Sequence, residues 1–476
     1  MRKTTVLFFV TCALAVQALP WLPLQAQTLD TLAELDAIFA PFHNQMPGVA
    51  VAVSIDGRVI YNRAYGLANL EYNVPNTPQT LFEAGSVSKQ FVAAGILLLA
   101  KEGKLTLHDD VRTYVPELPD YGTPVTLDML LSHTSGLKDW GALYSLTGWP
   151  RTTRVYTQEL GWDIIFKQKS LNFPPGTLYS YSNSNYMMLV LVLERVSGLT
   201  LAQFTEKYFF EPLNMEHTLW RDNHLAVVPG RATAYRGQDG RFLLNMPFED
   251  LHGPGGLLTT TSDLLRWNRL HESLEILGEE FATNRIIARK TTNGQDIGYA
   301  AGHTIGTLNG YREVAHSGST GGYRAWLAWY PQKRLSVVLL SNYAEFAPVV
   351  CGRRIASLFL EEDASAKVPA AAESQQASVH QVAEVHAETP PELSDYTGTY
   401  YSTEVDTRYV VLVEEGTLKV GRKAGDEFEL SHRTGDRFTS ENNGEYTFER
   451  DRRGKVTGFK VSVMRAQDVP FYRLIH

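Results

Sequence analysis

Two serines in this chain stand three positions ahead of a lysine, in Ser86-Val87-Ser88-Lys89 and in Ser135-Gly136-Leu137-Lys138. A serine hydroxyl is a weak nucleophile unless a base sits beside it. A desolvated lysine can be that base, because burial disfavours its ammonium form. Such a tetrapeptide arises about once by chance in a chain of this size, so context must separate the two. Ser86 follows Gly85 and opens a run from Gln90 to Ala100 that is apolar nearly all round, which predicts a buried helix. On that helix Lys89 falls on the face of Ser86, and the N-terminus favours developing negative charge. Ser135 lies in the turn-like string His133-Thr134-Ser135-Gly136-Leu137 and reads as a turn serine.

Two further strings carry polar groups suited to acyl chemistry. Tyr181-Ser182-Asn183 is the one Tyr-x-Asn of the chain and sits in a polar loop before a helix expected from Tyr186. His316-Ser317-Gly318-Ser319 precedes an expected strand and is followed by Gly321-Gly322. Taken singly, each string reads as ordinary turn or structural residues. Other mechanisms lack their parts: there is no G-x-S-x-G, no H-E-x-x-H, no paired cysteines and no phosphate-cradling glycine motif. The expectation is an enzyme with no metal and no cofactor.

In order and content these strings resemble the serine β-lactamase and penicillin-binding-protein superfamily, in its class C β-lactamase, D-aminopeptidase and esterase branch. The resemblance runs from about residue 30 to 360 and includes Phe82-Glu83-Ala84-Gly85 before Ser86 and Leu130-Leu131-Ser132 before His133. It continues through Pro175-Gly176-Thr177, Glu194-Arg195-Val196-Ser197-Gly198, Gly255-Gly256-Leu257 and Thr260-Thr261-Ser262-Asp263-Leu264. The resemblance implies that Ser86 is the acylated nucleophile, Lys89 its proton acceptor and Tyr181 the proton donor to the leaving group. It implies that Asn183 holds the substrate amide, with His316, Ser317, Gly318 and Ser319 along the substrate. The backbone N–H groups of Ser86 and Ser319 would form an oxyanion hole, a device worth about 3 kcal/mol per donor.

One departure matters. Lactamases and carboxypeptidases of this superfamily usually carry lysine where this chain has His316. A histidine there would be only partly protonated near neutral pH. The expected activity is therefore that of an exported serine hydrolase on small amides or esters, a peptidase, amidase or esterase. A β-lactamase, a D-Ala-D-Ala carboxypeptidase and a non-hydrolytic penicillin-binding sensor remain the alternatives. The expected partner is a small-molecule or short-peptide substrate.

The elements that must position these residues follow from patterning. Val49–Ile55 and Val59–Tyr61 around Asp56-Gly57 read as one hairpin, Tyr323–Tyr330 and Leu335–Leu340 as a second, and Pro348–Leu360 as a helix after it. Helices are expected at Leu29–Phe42, Ser88–Lys101, Leu127–Leu131 and Tyr186–Val196. Strands at both ends with helices between predict an α+β fold: one antiparallel sheet flanked by helices, with an inserted helical lobe. Residues 363–392 lack aromatics and glycine and read as a linker. Residues 393–476 hold eight short β-rich runs, predicting a small all-β barrel or sandwich, and Tyr396-Thr397-Gly398-Thr399-Tyr400 resembles the start of a lipocalin-like domain. That domain is expected to restrict substrate size.

The first segment, Met1-Arg2-Lys3 then the apolar run Val6–Val16 and Leu24-Gln25-Ala26, reads as a signal peptide over 1–26, leaving a hydrolase domain over 27–362. Cleavage removes two basic residues and takes the net charge from −8 to −10. It also removes Cys12, leaving Cys351 as the single thiol. An acidic chain without a basic stripe is no nucleic-acid binder, and no stable membrane span is expected after cleavage. The expected location is periplasmic or secreted.

Overall fold

The computed structural model describes residues 22–149, 154–271, 278–360, 392–422 and 425–474, the side chains of 22–29 and 280 excepted. The expected signal peptide and the 363–392 linker fall almost wholly outside these residues. The chain to Pro41, with the helix Leu22–Phe39, forms one unit, and Phe42 onward forms a second. Among the described residues no single helix is long and apolar enough to cross a membrane.

In the second unit, six strands make one antiparallel sheet: β1 (Val49–Ile55), β2 (Arg58–Tyr65), β3 (Thr304–Leu308), β4 (Tyr311–Thr320), β5 (Tyr323–Tyr330) and β6 (Leu335–Ser341). The order is β3-β4-β5-β6-β1-β2, so the start of the domain pairs with its end: Val49 opposes Ser341 and Ile55 opposes Leu335. Both β1 and β6 are buried along nearly their whole length, which is why they read as continuous apolar runs rather than alternating ones. Helices Thr261–Asn268 and Pro348–Ser357 pack on this sheet.

β4 corrects the expectation for His316-Ser317-Gly318-Ser319, which lie within a strand rather than ahead of one. Glu313, His316, Ser317 and Gly318 obscure its alternation, yet the strand pairs with β5 from Val314 to Thr320. β3 pairs only with Tyr311–Ala315, leaving one edge of β4 open from His316 onward.

The inserted lobe holds two helices that matter most, α1 (Lys89–Lys101) and α2 (Asn183–Ser197). α1 is buried from Lys89 to Leu99, and α2 from Ser184 to Leu193. They pack at close range because Gly95 carries no side chain: a Cβ there would lie 2.4 Å from Leu193 Cδ1.

The C-terminal eight strands, from Gly398–Ser402 to Ala466–Arg473, close into a barrel in sequential order. Tyr400, Tyr409, Tyr446, Phe448, Phe459 and Phe471 are buried, and their rings contact one another as a small barrel requires. The barrel is docked on the domain of the six-stranded sheet by polar contacts. Lys138 Nζ faces Glu404 Oε2 at 3.5 Å with both side chains buried. Gln168 Nε2 donates to Glu404 O (3.0 Å), Tyr409 Oη to Leu146 O (2.7 Å) and Arg422 to Ser145 O (3.0 Å).

Candidate active site

Ser86 lies in a tight turn, Gly85–Ser88, that runs directly into α1. The turn is held by Ser88 Oγ, which donates to Gly85 O at 2.6 Å. Gly85 has a φ of +51°, and a Cβ on it would sit 2.6 Å from Ser319 N. A Cβ on Gly318 would overlap Ala84 O. Both glycines are therefore needed for β4 to lie against the nucleophile turn. That close approach brings the Ser319 backbone nitrogen beside Gly85, the residue before the nucleophile. Ser86 is partly accessible while Lys89 is fully buried.

Lys89 Nζ makes three contacts: Ser86 Oγ at 3.1 Å, Asn183 Oδ1 at 2.9 Å and Pro254 O at 2.8 Å. Burial chiefly, and the Arg465 guanidinium next, hold its pKa well below the ordinary lysine value, against an upward pull from Asp139. A neutral amine has two hydrogens and one lone pair. The two carbonyl oxygens can only accept, so they take both hydrogens. The lone pair is left facing Ser86 Oγ, the one partner of the three with a proton to give.

Asn183 owes its orientation to Asp139, whose Oδ2 accepts from Asn183 N (2.7 Å) and Nδ2 (3.0 Å). Its amide oxygen is thereby turned to Lys89. Asn183 is the first residue of α2, so the polar loop expected to precede the helix is in part its first turn. The expected role in holding a substrate amide falls to the second Nδ2 hydrogen alone.

Tyr181 has its hydroxyl enclosed, with its ring 4.9 Å from Lys89 Nζ and 4.2 Å from the ring of His133. Burial raises its pKa, eased by the Ser86 hydroxyl beside it, so the phenol stays protonated and can donate. His133, in the turn that also holds Ser135, accepts through Nδ1 from Ser182 N at 3.1 Å and so braces the Tyr181 segment. Burial is the chief reason that it stays neutral.

His316 differs from the sequence expectation of partial protonation. Its Nδ1–H donates to Ser317 O (2.6 Å) and its Nε2 accepts from the Tyr299 hydroxyl (3.0 Å). With burial the chief cause, its pKa is pushed down to about 3, so the ring is neutral at working pH. Ser317 and Ser319 are exposed on the opposite side of β4 from His316 and Gly318.

Ser86, Lys89, Tyr181, Asn183 and the His316–Ser319 segment thus meet in one site. Sequence reasoning missed Asp139, the carbonyl of Pro254, Tyr299 and Arg465. Among the described residues no cluster of three or more His, Cys, Asp or Glu is placed to hold a metal ion.

Comparison with known proteins extends this picture. A family model described as Beta-lactamase matches residues 35–361, and one described as a domain of unknown function, DUF3471, matches residues 383–473. A D-aminopeptidase of Gluconobacter oxydans is 29% identical over 312 residues, covering 65% of this chain and 58% of that protein. Penicillin-binding protein 4* of Bacillus subtilis is 27% identical over 318 residues, covering 63% of this chain and 69% of its own length. Among solved structures, the octameric penicillin-binding protein homologue from Pyrococcus abyssi matches 94% of this chain and 100% of its own, with a TM-score of 0.62 and 22% identity. The D-amino acid amidase from Ochrobactrum anthropi SV3 matches 69% of this chain and 99% of its own, with a TM-score of 0.59 and 19% identity. At these identities the structural matches speak to the fold.

Proposed function

Since the chain belongs to the Beta-lactamase family, we propose that it is a serine hydrolase cleaving small amides or esters, short peptides foremost, through an acyl-serine intermediate. The observation that carries this reading is the set of Lys89 contacts, which in the neutral amine leaves a lone pair aimed at Ser86 Oγ. Ser86 Oγ attacks the substrate carbonyl carbon as its proton passes to Lys89 Nζ. The carbonyl oxygen, now an oxyanion, is taken by the backbone N–H groups of Ser86 and Ser319. As the bond to the leaving nitrogen or oxygen breaks, Tyr181 gives that atom its proton and recovers one from the Lys89 ammonium. Water then attacks the ester carbon, and the same groups return Ser86 to its hydroxyl form.

Two features favour peptidase, amidase or esterase chemistry over penicillin hydrolysis. His316 is neutral where a fixed cation would hold a β-lactam carboxylate, and the D-aminopeptidase relatives fall in the same branch. The Met1–Ala26 segment supports a periplasmic or secreted location. Intact-mass spectrometry after incubation with penicillins, D-amino-acid amides and short-chain esters tests the chemistry. An acyl adduct on the wild type and none on Ser86→Ala is expected. No adduct and no turnover across the panel would overturn the reading. For location, N-terminal sequencing should find the exported chain beginning at Gln27.

A further inference from the structure

The barrel reaches into this site at one point. The hairpin between strands Val456–Val463 and Ala466–Arg473 turns through Met464 and Arg465, with Met464 at a φ of +47°. Its tip is pinned through backbone: Arg465 O accepts from Asp139 N (3.2 Å) and from Asn172 Nδ2 (3.0 Å), and Gln467 N donates to Asn172 Oδ1 (2.8 Å). From this anchored position the Arg465 guanidinium lies over the Tyr181 ring, 5.5 Å from its centroid. One nitrogen stands 3.5 Å from Asp139 Oδ1, and the side chain keeps 36% of its exposure.

The charges around Ser86 make this placement consequential. Lys89 is buried with its hydrogens committed to Asn183 and Pro254. His316 is neutral, with both ring nitrogens satisfied. Asp139 is fully buried and already receives Asn183 N, Asn183 Nδ2 and Ala142 N, so it does not offer itself to a substrate ammonium. Among the described residues, Arg465 is left as the accessible charged fork beside Tyr181. Its 3.5 Å separation from Asp139 is long against the roughly 2.7–2.9 Å of a charge-assisted hydrogen bond, leaving guanidinium N–H groups to offer.

We propose that Arg465 is a specificity-determining residue through which the barrel recognises a free carboxylate on a short peptide substrate. The guanidinium plane suits a bidentate carboxylate, and stacking on Tyr181 orders it before substrate arrives. This inference rests on the acyl-serine reading above.

The test uses the full-length protein and matched short peptides ending in a free acid or in the corresponding amide. Wild type, Arg465→Gln and Arg465→Lys are compared by kcat/KM, with the Ser86 adduct followed by intact mass. Wild type should prefer the acid by at least tenfold. Arg465→Gln should lower kcat/KM on the acid by about 10–100-fold, mainly through KM, and much less on the amide, with Arg465→Lys restoring part of the preference. A wild-type acid-to-amide ratio near one would overturn the proposal whether or not the glutamine variant folds, and so would an equal loss on both substrates. Adduct formation without acid preference defeats Arg465 alone, whereas no adduct on any peptide defeats the underlying acyl-serine reading.

Discussion

The two Ser-x-x-Lys strings have the same spacing, a buried lysine each, and opposite fates. In the first, the turn continues into α1 and Lys89 Nζ comes to 3.1 Å from Ser86 Oγ. In the second, Gly136 at a φ of +79° breaks the helical path between serine and lysine. Ser135 Oγ instead donates to Asn185 Oδ1 (2.6 Å) and accepts from Leu137 N (3.0 Å), while Lys138 turns to Ser170 Oγ (3.0 Å) and Glu404. Burial lowers the pKa of both lysines. Glu404 pulls Lys138 back toward its charged form, whereas Arg465 pushes Lys89 further from it. Spacing creates the opportunity; backbone conformation and the neighbouring charge decide its use.

The sharpest way to break this contrast is at the serines. Ser86→Ala should abolish labelling by a fluorophosphonate and lower kcat/KM by at least about 10⁴-fold. Ser135→Ala should still be labelled, since its hydroxyl serves a turn. Labelling that followed Ser135 instead would reverse the assignment.

The lysines give the next largest effects, and of different kinds. Lys89→Met should cut the acylation rate by about 10²–10⁴-fold, measured in single turnover, because it removes the proton acceptor. Glu404→Gln should instead cost stability, about 3 kcal/mol in denaturant unfolding, because Lys138 is left buried without its counter-charge. Replacing both partners with methionine should recover most of that loss, since the desolvation of two charges disappears together. If the double variant were no more stable than Glu404→Gln, the loss would not come from the unpaired charge of Lys138.

Legibility in the sequence follows the same division. The nucleophile turn was readable because Gly85, Ser86, Lys89 and an apolar helix are contiguous. β1, β5 and β6 were readable as apolar runs with clear turns, and all eight barrel strands from their alternation. What escaped was non-local or carried by backbone. Pro254 contributes a carbonyl, which any residue possesses. Asp139 and Arg465 meet only because a barrel hairpin docks beside α2, and nothing in the local pattern around Arg465 announces that. The neutrality of His316 depends on Tyr299 and on enclosure, neither visible from the His-Ser-Gly string.

The smallest expected effect is a displacement in pH, and it separates the charge environments most finely. Lys89 works as a neutral base, and its pKa in the folded enzyme is depressed. As pH falls through that value the amine is protonated, so kcat/KM drops tenfold per unit on the acid side. Removing a nearby positive charge eases protonation, so Arg465→Gln should move this limb to higher pH. His316, with its pKa near 3, carries no charge over the working range and should not set the limb. His316→Asn is therefore expected to change the height of the profile and leave its acid midpoint in place. The profiles are to be measured on an uncharged ester, so that substrate ionisation adds no limb of its own. A midpoint that moved with His316 and stayed fixed with Arg465 would show the histidine, and not the barrel's arginine, to be the charge that Lys89 senses.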